Sequence, residues 1–407
     1  MEYHSPAVQA GRPKTDWMSI FQLVFSLAVF FCLAVIGLVS KIGKNYFLSN
    51  NLTKSMAPSL GAMLDLFAWA SLLLGLFAFV SIIASARKID EKSMPNWMQS
   101  QMLVVYGLIF IWFIIFLTGS RIFKVAGYAE TFMPLFSAMG IFIAGLVFMR
   151  VGIGRAWGRS PQRSSGLLTF GFAFTTPLIL IAESSALVLA GSVFGLSMLR
   201  DPRMQNILKD FPILLYSLQE NAVEAQKMLA DLASQPAAIA FVILLFVFLM
   251  PLIEELLKTF GVLLLKGRNL SPSDGLVAGI ASGAGFGLLE GFLFAVQLGQ
   301  GASPEMWVFF MLGRSAALLM HIFNGALNGW ALLDYWQDRK LTRLIGIFLL
   351  TLFLHGLWNG LAISSALKLM DPKISGALLA FTFLSVFIAY ILFTRKIYHH
   401  SIEKSYG

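Results

Sequence analysis

The sequence has few cysteines, few charged residues and none of the short motifs of the commonest hydrolases. Cys32 is the single cysteine, so no disulfide can form within the chain. Charged residues make up 13% of the 407 residues, against about a quarter in typical soluble domains. No HExxH sequence occurs, and no serine lies in a GxSxG turn. We therefore expect neither acyl-enzyme chemistry nor the common zinc-protease helix.

Long apolar runs dominate what is present. Hydrophobic residues account for 57% of the chain, and its mean hydropathy is +0.77. Runs of about 20 apolar residues are long enough to cross a bilayer as helices. The sequence therefore predicts an all-α polytopic membrane protein of about ten transmembrane helices, at residues 18–40, 61–85, 102–119, 131–150, 167–192, 237–264, 275–298, 307–333, 343–365 and 375–394.

The positive charge of the chain indicates its topology and not a nucleic-acid partner. Lys and Arg outnumber Asp and Glu by 30 to 21, and the excess lies mainly in alternate short loops. Short cytoplasmic loops of membrane proteins are enriched in Lys and Arg. We expect an integral, multi-pass protein in contact with the lipid bilayer, with both termini on the cytoplasmic side.

The chain divides into four predicted parts. Residues 1–199 form an N-terminal membrane module of about five helices, and residues 200–236 an extracytoplasmic amphipathic loop. Residues 237–394 form a second bundle of about five helices, and residues 395–407 a cytoplasmic tail. In the first module, we expect Glu183 to hydrogen-bond Ser184, Ser185 or nearby threonines, or to lie near an interface, rather than to take part in catalysis.

Ionisable residues at membrane depth concentrate in the second bundle. Each costs about 2.5–3.5 kcal/mol at the bilayer centre, so a cluster of them indicates a function. Glu254, Glu255 and Lys258 follow Pro251 and share adjoining faces of one helical turn. Two carboxylates in a low dielectric do not easily carry two charges, so one is expected to exchange protons near neutral pH unless Lys258 compensates.

The seventh apolar run carries a glycine at every fourth residue and one acid. The glycines, which allow close packing of helices, are Gly275, Gly279, Gly283, Gly287 and Gly291. Glu290 borders this stripe, so the sequence predicts a buried acid at a tight helix–helix contact.

Two further runs supply histidines. Arg314 and His321 are separated by two helical turns and share one face with Asn324 and Asn328. In the next run, His355 and Asn359 lie four residues apart on one side. Arg314 can neutralise a glutamate, and either histidine can donate or accept a proton near neutral pH.

Glutamates, histidines and an asparagine are the groups needed to activate water. A glutamate would be the general base, and His321, His355 or Asn359 would orient water or donate to the oxyanion. The same groups could hold one zinc ion through His321, His355 and Glu290, so no cofactor and one zinc ion both stay open. An ion- or proton-coupled transporter is an alternative, although we find no internal repeat, and a non-catalytic membrane scaffold is another.

Four motifs in order give the chain a family resemblance. Glu254-Glu255-Leu-Leu-Lys258 resembles EExxK and Phe286-Gly-Leu-Leu-Glu290 resembles FxxxE; His321-Ile-Phe-Asn-Gly325 resembles HxxxG, and His355-Gly-Leu-Trp-Asn359 resembles HxxxN. This order on successive helices is similar to the PrsW family of intramembrane proteases, which is related to the CAAX prenyl endopeptidases and Abi proteins. The resemblance covers about residues 237–365.

The resemblance implies an intramembrane endopeptidase of the glutamic type or a metalloprotease. Its substrate would be a membrane-anchored protein in a bacterial or archaeal cell membrane. The residues implied for the site are Glu254, Glu255, Glu290, His321 and His355, with Asn359 as a supporting donor. In the related prenyl endopeptidases a histidine replaces the FxxxE glutamate, so the role of Glu290 stays open between second acid, metal ligand and partner of Arg314.

Overall fold

A computed structural model of the protein describes residues 17–49, 57–87, 101–122, 129–153, 161–198, 235–268, 270–295, 303–367 and 369–406. These residues form helices joined by short turns, with no strand among them. We number the helices α1 (Trp17–Ser49), α2 (Ala57–Arg87), α3 (Gln101–Ile122), α4 (Ala129–Ile153), α5 (Pro161–Phe170, Gly171–Thr175 and Thr176–Met198), α6 (Pro236–Ile243, Leu244–Leu249, Met250–Lys258 and Phe260–Leu263), α7 (Pro272–Ala295), α8 (Pro304–Asp338), α9 (Leu341–Ala366) and α10 (Pro372–Tyr406).

The predicted fold class is confirmed. Within the described residues, 10 helices are long and apolar enough to cross a membrane, and they coincide with the ten predicted spans. The predicted amphipathic loop at residues 200–236 lies outside the described residues, apart from its last two.

Helix α7 lies at the centre of the bundle. In an apolar stretch of 18 residues taken from each helix, 78% of the residues are buried in α7, 11% in α10 and 17% in α1. Helix α7 is therefore surrounded by protein, whereas the outer helices expose apolar side chains. It contacts α2, α4, α5, α6, α8 and α10. The glycine-rich helix is therefore the element around which the other helices pack.

Backbone contact between α7 and α8 explains the glycine stripe. A Cβ atom at Gly279 would lie 1.9 Å from the carbonyl oxygen of Gly325, and one at Gly283 would lie 2.4 Å from the carbonyl oxygen of His321. Only hydrogen side chains allow this approach. The predicted packing role of the stripe is confirmed, and this contact fixes the position of His321.

Helices α5 and α6 each contain a π-helical turn. These turns cover Gly171–Thr175 and Leu244–Leu249. The second turn ends just before Pro251, which has no backbone N–H to donate to a carbonyl of the preceding turn. The third segment of α6, Met250–Lys258, thus begins one residue before this proline and carries the first charged motif.

Candidate active site

The segment Met250–Lys258 of α6 places three charged side chains inside the bundle. Glu254 is 5% exposed, Glu255 1% and Lys258 0%. This helical segment ends at Thr259, directly after Lys258. The hydroxyl of Ser282 in α7 donates a 2.6 Å hydrogen bond to the Lys258 carbonyl. Helix α7 therefore fixes the end of α6 as well as the position of His321.

Glu255 is held by four donors. Its Oε1 accepts hydrogen bonds from Lys258 Nζ at 2.7 Å, His355 Nδ1 at 2.9 Å and Asn324 Nδ2 at 3.1 Å. Its Oε2 accepts from Asn328 Nδ2 at 3.2 Å. Both carboxylate oxygens are satisfied, so Glu255 connects α6, α8 and α9.

Thr351 of α9 completes this network, and the sequence motifs do not contain it. Its carbonyl accepts from Asn324 Nδ2 at 3.1 Å, and its hydroxyl oxygen accepts from Asn328 Nδ2 at 3.1 Å. Thr351 precedes His355 by one helical turn on the same face, which is the one sequence signal that could have indicated it.

His321 is fixed on both sides of its ring. Lys258 Nζ lies 2.9 Å from Nδ1, and Glu290 Oε2 lies 2.9 Å from Nε2. An ammonium group can only donate, so Nδ1 of the neutral ring is the acceptor and Nε2 carries the hydrogen. The ring of Phe286 packs edge-on against His321, with ring centres 4.9 Å apart.

His355 is oriented by Glu255 and presents its other nitrogen to Glu254. Because the carboxylate of Glu255 accepts from Nδ1, that nitrogen carries the hydrogen of the neutral ring and Nε2 is free to accept. Nε2 lies 3.6 Å from Glu254 Oε1, which is beyond a direct hydrogen bond.

Glu254 differs from its neighbour in having an unsatisfied oxygen. Its Oε2 is buried and receives no hydrogen bond from a donor in the described residues. Lys258 Nζ and His321 Nδ1 are each 3.8 Å from this oxygen. A buried carboxylate oxygen without a donor is costly, so this is the atom at which a ligand or water is expected.

Glu290 lies on the outer side of His321. Its Oε2 accepts a 2.7 Å hydrogen bond from Arg314, and both side chains are 15% exposed. The pair is thus less buried than Glu255 and Lys258. The predicted roles for Glu290 were second acid, metal ligand and partner of Arg314. In the structure Glu290 contacts Arg314 and also His321.

Asn359 contacts the backbone of α6. Its Nδ2 donates a 3.0 Å hydrogen bond to the carbonyl of Phe246, five residues before Pro251. Pro251 cannot donate to that carbonyl in a π-helical turn, so the asparagine replaces the missing N–H. Gly356 allows α9 to approach, because a Cβ there would lie 2.6 Å from the Val247 carbonyl oxygen.

Three side chains could hold a metal ion. Ligand atoms of Glu254, His321 and His355 all lie within 4.8 Å of one another. One carboxylate and two imidazoles form a donor set typical of catalytic zinc, and the Glu255 carboxylate orients His355 as a supporting group does at such sites. The unsatisfied Glu254 Oε2 also fits a cation, although His321 would have to release Lys258 or Glu290 to bind it.

The net charge of the candidate site also permits a cation or a water molecule beside Glu254. Three glutamates face Lys258 and Arg314, so the described site carries one excess negative charge when both histidines are neutral. Glu254 Oε1 and His355 Nε2 are two acceptors that face each other. Water, which donates two hydrogen bonds, and a metal cation can each satisfy such a pair.

Comparison with known proteins agrees with the motifs. Residues 213–392 match the PrsW family of intramembrane metalloproteases, and the matched range contains all four motifs. No curated protein and no solved structure matches the chain. The predicted resemblance to the PrsW family of intramembrane proteases is confirmed over this range.

Proposed function

We propose that this PrsW-type site hydrolyses a peptide bond of a membrane-anchored protein within or beside the bilayer, with Glu254 as the general base. The observation that carries this proposal is the buried Glu254 Oε2 without a donor, 3.8 Å from both Lys258 Nζ and His321 Nδ1. A general base needs an oxygen free to accept a proton from water. Glu254 has such an oxygen.

Glu255 has a different role in this proposal. Its two oxygens accept from Lys258, His355, Asn324 and Asn328 and have no free position for water. It holds His355 with Nε2 directed at Glu254 and pairs with Lys258 beside the reacting groups. Glu255 is therefore a positioning residue.

The reaction needs one proton transfer in each direction. Glu254 takes a proton from water, the water oxygen bonds to the scissile carbonyl carbon, and the carbonyl oxygen becomes negative. The positive charge of Lys258 stabilises this oxygen. The C–N bond then breaks, Glu254 gives its proton to the leaving nitrogen, and the products are a carboxylic acid and an amine, which become a carboxylate and an ammonium by exchange of one proton.

The histidines orient the water and restrict its position. His355 Nε2 lies 3.6 Å from Glu254 Oε1, so it is an acceptor beside the same carboxylate and orients the attacking water. His321, fixed by Lys258 and Glu290, closes the opposite side. Asn359 acts through the backbone of α6, where its hydrogen bond to Phe246 supports the turn before Glu254.

One zinc ion at the same place is a second candidate, favoured by the Glu254, His321 and His355 group and by the family match. These three side chains would hold the ion, and Glu254 would then be a ligand and not the base. A bound zinc ion would supply Lewis-acid polarisation of the scissile carbonyl. Glu255 would keep its orienting role toward His355 in either case.

Metal analysis combined with proteolysis tests the proposal. Wild type, a His321→Ala/His355→Ala double variant and a control, Asp338→Asn at an exposed site, are purified in detergent and reconstituted with single-span proteins. We expect cleavage by wild type and control, no stoichiometric metal, and no cleavage by the double variant. Stoichiometric zinc lost together with activity would select the zinc site instead.

A transport assay on the same liposomes separates the alternatives. Cleavage without ion flux supports the protease. Ion flux that disappears in a Glu255→Gln variant, with no cleavage by wild type, would contradict the proposal and favour the transporter. Neither cleavage nor flux would favour a scaffold.

A further inference from the structure

A cavity of about 250 Å³ lies at one end of the bundle, apart from the candidate active site. Its walls are the first turns of α1, the first turns of α5 and the turn that follows α6. None of the glutamates and histidines described above lines it. The cavity is therefore a separate feature of the molecule.

Two arginines line this cavity, and no acid does so among the described residues of its wall. Arg163 of α5 donates a 2.8 Å hydrogen bond from Nη1 to Asp274 Oδ1 of α7, which lies behind the wall. Arg268, in the turn after α6, has an exposed side chain. Arg163 is thus held in place, and the two arginines outnumber the one carboxylate paired with them, so the cavity suits an anion.

The other walls of the cavity are apolar and aromatic. The rings of Phe25 and Phe170 pack with their centres 5.7 Å apart, and Leu265 beside them is buried. Phe21 and Leu264 also line the cavity, and both are exposed on the outside of the bundle. The apolar lining therefore continues onto the lipid-facing surface.

Hydrogen bonds between α1 and α5 fix the shape of the cavity. Gln22 Nε2 donates to the Gln162 carbonyl at 2.7 Å, and Gln162 Nε2 donates to the Ser19 hydroxyl oxygen at 2.7 Å. A Cβ at Gly166 would lie 2.5 Å from Gln22 Cδ, so the two helices are in close contact here. The site is preformed, as ligand sites commonly are.

We propose that this cavity binds the headgroup of an anionic phospholipid. The apolar spans of α1 and α5 begin at Trp17 and Pro161, and that of α6 ends at Leu263, so the cavity lies where the hydrocarbon meets the headgroups. Basic pockets between transmembrane helices bind phosphate headgroups at this level, and arginine pairs well with phosphate oxygens.

The size of the cavity agrees with partial enclosure of a lipid. Pockets that enclose a whole ligand measure about 300–1,000 Å³. The smaller volume here accommodates a headgroup, and the acyl chains would lie along the exposed side chains of Phe21 and Leu264. This inference does not depend on the proposed proteolysis.

Native mass spectrometry of the full chain in detergent tests the inference. The probes are phosphatidylglycerol, phosphatidylcholine with the same acyl chains, and glycerol 3-phosphate as a headgroup without chains. We expect phosphatidylglycerol to bind most tightly, because it alone combines a net negative charge with acyl chains. Equal affinity for the two lipids would overturn the inference, and so would equally tight binding of glycerol 3-phosphate, which would assign the cavity to a soluble phosphate compound.

Charge-removing variants test the location of the lipid. One basic residue near an anionic headgroup contributes about fivefold in affinity, so we expect Arg268→Gln to weaken phosphatidylglycerol binding about fivefold and Arg163→Gln/Arg268→Gln about 25-fold. Lys340→Gln is the matched control, since Lys340 is exposed, lies outside the cavity and belongs to the same end of the bundle, where Gln337 donates to the Leu270 carbonyl. Equal affinities of the double variant and this control would overturn the inference.

Asp274→Asn separates the charge of Arg163 from its contact with α7. This variant breaks the ion pair and leaves both arginines in the cavity wall. We expect it to bind phosphatidylglycerol at least as tightly as the wild type does. A loss as large as that of the double arginine variant would show that the ion pair, and not the positive charge, matters, and would overturn the inference.

Discussion

Glu254 and Glu255 are adjacent in sequence and have opposite environments. Glu255 accepts hydrogen bonds from four side chains, whereas Glu254 Oε2 accepts none from the described residues. The difference arises because one residue step turns a helical side chain by about 100°. One carboxylate therefore faces the amides of α8, and the other faces the two ring nitrogens.

Neutralising these two acids should affect stability unequally. Glu255→Gln removes the charge that compensates Lys258, and breaking a buried pair costs about 3–5 kcal/mol, so we expect a clearly lower melting temperature in detergent. Glu254→Gln leaves the network around Glu255 intact and should melt close to wild type. Equal melting temperatures for the two variants would contradict the assigned roles.

At the residue scale, the sequence predicted which acids and histidines matter and left their roles open. Charged residues in apolar runs are conspicuous, so Glu254, Glu255, Glu290, His321 and His355 could all be found. The choice between Glu254 and Glu255 depends on side chains 69 to 100 residues away in sequence, such as Asn324 and His355. Local sequence pattern contains no such information.

At the scale of elements, the contact between α7 and α8 determines where His321 lies. Gly279→Ala would place a methyl group 1.9 Å from the Gly325 carbonyl oxygen, and α8 would have to move. Overpacking of this kind costs about 1–3 kcal/mol, and more when backbone must shift. We expect a lower melting temperature and loss of cleavage.

Gly346→Ala is the matched control for this prediction. A Cβ at Gly346 of α9 would have no neighbour within 4 Å. It should melt and cleave as the wild type does. Similar losses in both variants would show that glycine itself, and not close packing, matters at Gly279.

The hydrogen bond from Asn359 to α6 gives a second prediction for elements. Asn359→Leu leaves the Phe246 carbonyl without this donor, and within a bilayer no water replaces it, so the lost hydrogen bond is costly. We expect reduced stability and slower cleavage with unchanged metal content. Unchanged stability would mean that the carbonyl finds another donor.

The elements were predictable to different degrees. Apolar run length predicted all ten helices, and glycine spacing predicted the close contact of α7. The π-helical turn of α6 was not predicted, because it depends on Pro251, which lacks an N–H, and on Asn359 of α9, which donates to the Phe246 carbonyl. Because this turn depends on residues of two helices, the sequence of α6 alone contains no periodic pattern that predicts it.

At the scale of the whole molecule, the predicted integral, multi-pass membrane protein is supported by the ten described helices. The division into an N-terminal module of residues 1–199, a loop of residues 200–236, a bundle of residues 237–394 and a tail stays a prediction. The segment Thr176–Met198 of α5, from the predicted N-terminal module, packs against the segment Met250–Lys258 of α6, which carries Glu254 and Glu255.

The predicted topology can be tested with single cysteines. In a Cys32→Ser background, cysteines replace Ser5, Ser217 or Ser405 one at a time, and intact cells are treated with an impermeant thiol reagent. We expect labelling at position 217 alone, since both termini are predicted to lie in the cytoplasm. Labelling of either terminus would contradict this topology.

The rate of substrate cleavage by Glu254→Gln tests the central claim most directly. Wild type and variant are compared in liposomes at equal amounts of folded protein, with a single-span protein that the wild type cleaves. Loss of a general base lowers rates by about 10²- to 10⁴-fold, and we expect a loss in that range with the fold intact. Cleavage by the folded variant within a few-fold of wild type would contradict the assignment of Glu254 as the base.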